Sequence, residues 1–277
     1  PTPAAATLIV STYNMPRHLG LVLEGVALQS IRDFELVICD DGSGSDTRDL
    51  IDRFRPRFGA KTGQALTHVW QENRGFRKCR ILNEGLRRSS GAHCIFLDGD
   101  CVPHRDYVAD HLREREPGRY LAGRRVELGP TFSEDLTSED VARGSLGFPP
   151  SYRLFVSALT GDSDHLQRLV RFPAPWMRRL VGMNRIDDLK GCNYSVAREA
   201  LLALNGFDEE YEGYGREDTD IEIRLQNLGL TIKSMKGVAL QYHVWHPRRE
   251  FTDANDARLE ETRKIRRIRC EKGISER

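Results

Sequence analysis

The sequence predicts an α/β fold in which helices cover both faces of a mostly parallel central sheet. Over the first hundred residues, strand-like and helix-like segments alternate, which is typical of parallel strands joined by right-handed crossovers. The strand-like segments are apolar along their whole length, which indicates that both faces of the sheet are covered. A chain of 277 residues is long enough to bury a full core, and we expect a single domain.

Each element of the first half is predicted from a short local pattern. Thr7–Thr12 is apolar and β-branched, as buried strands are, whereas Arg17–Gln29 repeats apolar residues at helical spacing. Thr47–Phe58 follows an Asp/Thr signal that is typical of a helix start. The predicted order is strand Thr7–Thr12, helix Arg17–Gln29, strand Glu35–Asp40, helix Thr47–Phe58, strand Leu66–Gln71, helix Arg77–Arg88 and strand His93–Leu97.

The pattern becomes irregular after Leu128. Gly129–Ile186 holds many proline and glycine residues, so we predict a variable insertion there. Regular structure is predicted to resume at Leu189–Ala197. The remaining predicted elements are a helix to Leu204, a loop over Gly206–Gly215, a helix over Asp218–Asn227, short strands within Thr231–Tyr242 and a helix from Thr252 that carries the basic run Arg263–Arg269.

Composition and charge exclude several classes of function. The 42 basic residues balance 41 acidic ones to a net charge of +1, so a generally basic nucleic-acid binder is excluded. No run approaches the roughly 18 apolar residues that a membrane span needs. The six cysteines form no CxxC pair, and we expect reduced thiols in a cytoplasmic protein.

The ends of the predicted strands carry acidic residues in place of a phosphate-binding loop. The turn Ser11–Pro16 contains no glycine, and the chain has neither a dinucleotide fingerprint nor a P-loop. Asp40 and Asp41 follow the second strand, and Asp98 and Asp100 flank a glycine after the fourth. A tight turn can bring the last two carboxylates onto one Mg²⁺ or Mn²⁺ ion, whereas the simpler interpretation is a solvated turn.

Taken in order, these segments resemble a known family. The first half of the chain resembles the family 2 glycosyltransferases of the GT-A fold, and the second half resembles the acceptor half of galactosyltransferases and chondroitin polymerase. Any one motif is weak, but the ordered set is specific. The matching segments are Leu8–Asn14, Phe34–Ser43, Asn73–Gly75, Asn83–Gly85 and Leu97–Asp100, followed by Gly191–Val196, Asn205–Asp208 and Gly213–Asp220.

The resemblance implies a division of the chain into functional parts. Residues 1–128 would bind the nucleotide-sugar and residues 129–250 would bind the acceptor and carry out catalysis, with 129–186 as a variable insertion. Residues 251–277 would form a basic helical tail. The residues implied to contact a UDP-sugar donor are Ser11, Tyr13, Asp41, Arg77, Asp98 and Asp100, with Asp41 on the uracil N3–H and Arg80 as the alternative to Arg77.

The metal site and the catalytic base also follow from the resemblance. Asp100 is implied to be the direct ligand of Mn²⁺ or Mg²⁺, and Asp98 would contact the ribose or the metal. His243 is the implied histidine ligand and His246 is the alternative. An imidazole ligand favours Mn²⁺ over Mg²⁺.

The implied base is Asp218, which would make the transfer inverting. Glu217, Tyr214, Gly191 and Asn193 are implied to bind the acceptor. Asp220 is expected to cap or orient the turn.

The sequence departs from the family motif at one position and leaves alternative functions open. Arg216 replaces the second glycine of the family motif, and related GalNAc transferases retain configuration with a similar motif. A nucleotidyltransferase and a non-catalytic sugar-binding module are the alternatives from other classes.

The expected acceptor is a saccharide or glycolipid of the polysaccharide or lipopolysaccharide type. The exposed-looking Trp176 segment and the basic run Arg263–Arg269 are compatible with peripheral contact to the inner face of a membrane.

Overall fold

The computed structural model describes residues 4–147, 149–247 and 250–276. Its strands are β1 (Ala6–Thr12), β2 (Phe34–Asp40), β3 (Leu66–Trp70), β4 (His93–Asp98), β5 (Cys101–Pro103), β6 (Arg119–Ala122), β7 (Val126–Glu127), β8 (Asn193–Ala197), β9 (Thr231–Ser234) and β10 (Gln241–His243). Its α-helices are α1 (Pro16–Ala27), α2 (Ser45–Thr62), α3 (Lys78–Arg87), α4 (Tyr107–Glu114), α5 (Pro130–Asp135), α6 (Ser138–Ala142), α7 (Tyr152–Leu159), α8 (Pro175–Leu180), α9 (Arg198–Ala203), α10 (Glu217–Asn227) and α11 (Ala254–Lys264), with 3₁₀ turns at Leu166–Leu169 and Ile274–Glu276.

A seven-stranded sheet in the order β3–β2–β1–β4–β8–β6–β9 forms the centre. Strands β1 to β4 are parallel, whereas β8 runs antiparallel to both β4 and β6. Apolar residues from the two faces of this sheet belong to two separate core clusters. The predicted α/β class with a mostly parallel, doubly covered sheet is therefore confirmed.

The stretch between β4 and the insertion contains elements that the sequence patterns do not predict. A second, three-stranded sheet has the order β5–β10–β7, with β10 antiparallel to β5 and parallel to β7. Strand β7 has two residues and β5 has three, and strands this short show no alternation of apolar and polar residues from which they could be predicted. This small sheet carries Asp100 and His243 to the same place.

Buried ion pairs attach the insertion to α4. Arg178 of α8 donates to Glu114 at 2.7 Å, and both side chains are almost completely buried. Arg171 pairs with the buried Asp110 of the same helix. In the predicted Trp176 segment, the indole is exposed while Arg178 is buried, so this arginine offers no charge to a membrane surface.

A chain of buried polar side chains joins β4, β8 and α4. His93 Nε2 lies 2.9 Å from Ser195 Oγ, and Ser195 Oγ lies 2.9 Å from His111 Nδ1. His111 Nε2 lies 3.2 Å from Asn193 Oδ1. Every bond in this chain is satisfied when both imidazoles are neutral. Burial lowers the pKa of His93 to about 4 and that of His111 to about 3.

The C-terminal segment folds back onto the loop that precedes α10. Asn255 Nδ2 donates to the Gly215 carbonyl at 2.8 Å, and Thr262 Oγ1 donates to Asp220 at 3.0 Å. The predicted helix was expected to include the basic run, but α11 ends at Lys264 and Arg266 adopts a left-handed φ of 51°. Among the described residues, no helix combines the length and the apolar character that crossing a bilayer requires.

Asp220 lies at the centre of this packing. Its carboxylate accepts hydrogen bonds from Arg224 Nε at 2.7 Å and from Tyr211 at 3.3 Å, in addition to Thr262. The side chains of Asp220 and Arg224 are 1% and 0% exposed. Asp220 therefore orients the loop through an internal ion pair, and the helix N-cap is Arg216, which makes no side-chain capping bond.

We expect Asp220→Ala to lower the free energy of unfolding by about 3–5 kcal/mol, because Arg224 would remain buried without its partner. Urea denaturation measures this difference. The matched control is Asp256→Ala, which removes a half-exposed partner of Arg216 and should change stability by less than about 1 kcal/mol. Equal effects of the two substitutions would contradict the central role of the buried pair.

Stability should also fall as the pH drops from about 6.5 towards 5. An unfolded histidine binds a proton near pH 6.5, whereas folded His93 and His111 have pKa values of about 4 and about 3. The unfolded state therefore binds more protons in this window, and each histidine should contribute about 1.4 kcal/mol per pH unit. Urea unfolding of the protein and of His93→Gln at several pH values tests this. A pH-independent stability, or an unchanged slope in His93→Gln, would contradict the neutral network.

Candidate active site

The predicted donor-side residues gather at one edge of the central sheet. In the register of the parallel strands, Ser11 on β1 lies opposite Asp98 on β4 and next to Cys39 on β2. Asp41 follows the end of β2 at the same edge. Carboxyl ends of parallel strands are the usual ligand-binding edge of an α/β sheet.

A cavity of about 330 Å³ opens beside these strand ends. Asp41 is buried at its floor, where its two oxygens accept hydrogen bonds from Gln71 Nε2 at 2.5 Å and from the Arg77 backbone N–H at 2.8 Å. Burial raises the pKa of Asp41 despite these two bonds. The lining residues are Tyr13, Asp41, Asn73, Gly75, Phe76, Tyr214 and Glu250.

Two predicted residues sit differently from what their assigned roles suggest. The guanidinium of Arg77 is buried and bonds to the Glu72 carbonyl, so Arg77 meets the cavity floor through its backbone. Tyr214, expected on the acceptor side, lines the cavity that contains Asp41, with its ring 5.9 Å from Phe76.

A second, smaller pocket brings donor-side and acceptor-side residues together. Asp98 Oδ1 accepts hydrogen bonds from Ser11 Oγ at 2.8 Å and from Lys78 Nζ at 2.7 Å. Glu217 and Asp218 line the same pocket, as do Ser11, Lys78, Asp98 and Gly191. Although burial opposes its charge, Asp98 and Glu217 raise the pKa of Lys78, which keeps the ammonium charged.

Asp218 stands at the first turn of α10, beside the loop that precedes β8. Its Oδ2 accepts a hydrogen bond from the Gly191 N–H at 3.2 Å. A Cβ on residue 191 would lie 3.3 Å from the Asp218 Cβ, so glycine allows this close approach. The positive end of the helix stabilises carboxylates at this position. Burial raises the pKa of the neighbouring Glu217, and the charge of Lys78 opposes that shift.

The loop before α10 adopts a conformation that normally requires glycine. Gly213 and Gly215 have positive φ angles of 82° and 107°, and Arg216 has a φ of 76°. Arg216 thus holds a left-handed conformation where the resembling family has glycine, at a cost of about 1–2 kcal/mol. Its guanidinium bonds to Asp256 and lies 5.8 Å from the Phe251 ring centroid, so Arg216 braces the loop against the C-terminal segment.

Asn193 supports the site from within the core. Its Nδ2 donates to the carbonyls of Arg124 and Ala239 at 3.0 Å each, and its Oδ1 accepts from Tyr107 and His111. The residue has no exposed surface. The structure therefore places the Asn193 side chain where it holds β8 against its neighbours, away from any surface open to an acceptor.

Three potential metal ligands converge at the edge of the small sheet. Oxygen and nitrogen atoms of Asp100, His243 and His246 all lie within 4.8 Å of one another. His246 Nε2 is 3.1 Å from Asp100 Oδ2 and 3.3 Å from His243 Nε2. One carboxylate and two imidazoles fit a divalent transition metal such as Mn²⁺ and leave coordination positions open. Both candidate histidines belong to this group, whereas Asp98 is bonded to Ser11 and Lys78.

Glu127 orients this group from behind. Its Oε2 is 2.8 Å from His243 Nδ1, and its Oε1 accepts from Arg125 Nε at 2.7 Å. Burial raises the pKa of Glu127, but the bonds from His243 and Arg125 outweigh it and lower that pKa to about 2. A carboxylate on the second nitrogen of a histidine fixes the tautomer that presents Nε2 to a metal. Burial also acts to raise the pKa of Asp100. The hydrogen bond from His246 and the charge of His243 outweigh burial and lower this pKa below its usual value.

Sequence reasoning missed Lys78 and Glu127. Lys78 directly follows the predicted Arg77, and only the exact start of α3 decides which of the two side chains faces Asp98. Glu127 belongs to a strand of two residues, which leaves no pattern in the sequence.

Two family models match the chain. Residues 7–156 match "Glycosyl transferase family 2", and residues 177–247 match "N-terminal domain of galactosyltransferase". The first match alone covers more than half of the 277 residues. The first match covers the donor-side segments and continues into the predicted insertion, and the second match covers the acceptor-side segments from Gly191 to Asp220.

The relatives and solved structures are glycosyltransferases. The chain is 25% identical over 270 residues to the chondroitin synthase of Pasteurella multocida (strain Pm70), covering 94% of this chain and 26% of the relative. It is 28% identical over 241 residues to validoxylamine A glucosyltransferase of Streptomyces hygroscopicus subsp. jinggangensis, covering 81% and 52%. The chain thus spans about a quarter to a half of the length of these relatives.

Solved structures share the fold at low sequence identity. A mannosyltransferase from Pyrobaculum calidifontis in complex with GDP-Man and Mn²⁺ superposes with a TM-score of 0.58 at 21% identity, covering 90% of this chain and 59% of that one. GalNAc-T7 with UDP, GalNAc and Mn²⁺ gives a TM-score of 0.65 at 12% identity, covering 94% and 48%. The chain belongs to glycosyl transferase family 2 and has the GT-A fold.

Proposed function

We propose that the chain transfers a sugar from a UDP-sugar to a hydroxyl group of a saccharide acceptor, with inversion at the anomeric carbon and with a divalent metal ion. The observation that carries the proposal is the pocket in which Asp218 and Glu217 face Lys78 and Asp98. Asp218, at the N-terminus of α10, lies on the acceptor side of this pocket, and the metal-ligand group of Asp100, His243 and His246 lies beyond Asp98 on the donor side. This arrangement suits direct displacement of the diphosphate by the acceptor hydroxyl.

The donor is proposed to lie along the carboxyl ends of β1, β2 and β4. The cavity of about 330 Å³ has a buried acceptor carboxylate, Asp41, at its floor and the Tyr13 ring at its wall. A carboxylate in that position suits the N3–H of uracil, which supports UDP as the nucleotide. The diphosphate would then reach Asp100, His243 and His246, and the sugar would lie near Asp98.

The metal ion, held by Asp100, His243 and His246, would neutralise charge on the departing diphosphate. Glu127 holds His243 in the required tautomer. Lys78 holds the Asp98 carboxylate through a charge-assisted bond of 2.7 Å. These bonds fix the donor side of the pocket before substrate binds.

Asp218 is proposed to be the general base. Its carboxylate takes the proton of the acceptor hydroxyl, whose oxygen attacks the anomeric carbon while the bond from that carbon to the diphosphate breaks. The products are the new glycoside and UDP, with the proton on Asp218. The Gly191 N–H holds one carboxylate oxygen, and the Thr219 N–H holds the other at 2.8 Å.

A retaining transfer is the second candidate, because the GalNAc transferases whose motif resembles Gly213–Asp220 retain configuration. In that case the new bond would form on the side of the departing diphosphate, and no base at Asp218 would be needed. The configuration of the product therefore separates the two candidates.

We expect Asp218→Asn to lower turnover by about 100-fold or more, because the base is lost while the shape is kept. The affinity for UDP should be unchanged, since Asp218 lies on the acceptor side. UDP release with a panel of UDP-sugars and saccharide acceptors, with and without Mn²⁺, measures turnover, and a thermal shift measures UDP binding. The matched control is Glu212→Gln, an exposed carboxylate of the preceding loop.

Anomeric NMR of the product completes this test. An inverted product together with a slow Asp218→Asn variant is the expected result. A retained configuration, or full turnover in Asp218→Asn, would remove Asp218 from the base role. Protein that binds no UDP-sugar under any of these conditions would contradict the proposed donor.

A further inference from the structure

Four cationic side chains from three segments lie together beside the pocket; we call them the basic patch. Arg124 and Arg125 connect β6 to β7, Arg168 lies in the 3₁₀ turn of the insertion, and Lys190 precedes Gly191. The catalytic roles proposed above use none of the four side chains directly. Arg124, Arg125 and Lys190 are 17%, 34% and 54% exposed and Arg168 is partly exposed, so the patch is open to solvent.

The patch holds more positive charge than its partners neutralise. Asp188 is shared by Arg124 and by Lys190, whose Nζ is 2.7 Å away. Glu127 serves both Arg125 and His243. Among the described residues, three of the four cations thus share two carboxylates in ion pairs, and Arg168 forms no ion pair.

The positive charge of Arg168 is the least neutralised of the four, because no carboxylate of the described residues forms an ion pair with it. The one hydrogen bond that the described residues give its side chain is to the Arg125 carbonyl, at 2.7 Å. Asp164 lies nearer to His165 than to any cation of the patch. Burial, followed by the charge of Arg124, lowers the pKa of Arg168 even though Glu127 and Asp164 act in the opposite direction. A partly buried guanidinium among other cations is stabilised when an anion binds.

The patch borders the reaction pocket on the acceptor side. Arg125 Nη1 is 3.7 Å from Cys192 Sγ, and Cys192 directly follows Gly191, whose N–H bonds to Asp218. A sugar whose hydroxyl faces Asp218 would therefore extend towards this patch.

We infer that the basic patch binds an anionic group, a carboxylate or a phosphate, on the acceptor saccharide. The inference rests on the proposed function and adds the chemical class of its acceptor. Guanidinium groups bind both kinds of anion through paired hydrogen bonds, and among the described residues Arg168 forms no ion pair with a carboxylate. The insertion contributes Arg168 and would thereby help to select the acceptor.

Saturation-transfer NMR titrations of the protein loaded with UDP and Mn²⁺ test the inference, with glucuronate, glucose 6-phosphate and glucose as probes. We expect at least one anionic probe to bind about fivefold more tightly than glucose, and this preference to weaken at higher salt. Arg168→Gln should remove most of the preference. Arg179→Gln, the same change at an exposed residue of α8, should leave it intact. The anion that gains most identifies carboxylate or phosphate as the preferred group.

Three results would overturn the inference: equal binding of all three probes, equal effects of the two arginine substitutions, or a loss of UDP affinity in Arg168→Gln with the sugar affinities unchanged. The last result would assign the patch to the donor diphosphate. Binding of UDP by the unaltered protein is measured first. Its absence would count against the proposed function, whereas normal UDP binding without an anion preference would count against this inference alone.

Discussion

The antiparallel pairing of β8 with β4 is the constraint on which the site depends. It places Asn193 opposite Leu97, so that Gly191 on the second half of the chain comes beside Asp98 on the first. Strand β8 has five residues and is bonded to β4 on one side and to β6 on the other. The buried chain from His93 through Ser195 and His111 to Asn193 adds side-chain bonds along the same strand. The buried polar network therefore stabilises the pairing that brings donor-side and acceptor-side groups together.

The long strands and helices, and the acidic residues at the ends of the strands, could be predicted from the sequence, because each depends on residues that are neighbours along the chain. Asp41, Asp98 and Asp218 accordingly lie where the motifs indicated. The sequence could not decide between His243 and His246, because a spacing of three residues on an irregular chain does not show which ring points towards Asp100. In the structure both rings lie beside Asp100. The burial of Asn193 was equally invisible, because it depends on partners more than forty residues away.

The balanced net charge conceals a separation of charges that the fold creates. Carboxylates at the strand ends face Lys78 and two histidines, and the helix end steadies Asp218. The arginines of the C-terminal run, predicted to meet a membrane, include Arg263 and Arg267, which pair with Glu260 and Glu261 of α11. Membrane contact through this run stays a prediction. The basic patch lies beside the acceptor side of the pocket, on the insertion, on the connection to β7 and just before Gly191.

The central claim is that Asp100, His243 and His246 together hold a divalent cation beside the donor. Crystals grown with UDP and Mn²⁺ and measured at the manganese absorption edge test it most directly. We predict one anomalous peak at roughly 2.0–2.3 Å from an oxygen of Asp100 and from Nε2 of both histidines, with UDP oxygens completing the coordination. A manganese peak bound by Asp98 and water without either histidine, or UDP bound in full with no peak, would contradict the account.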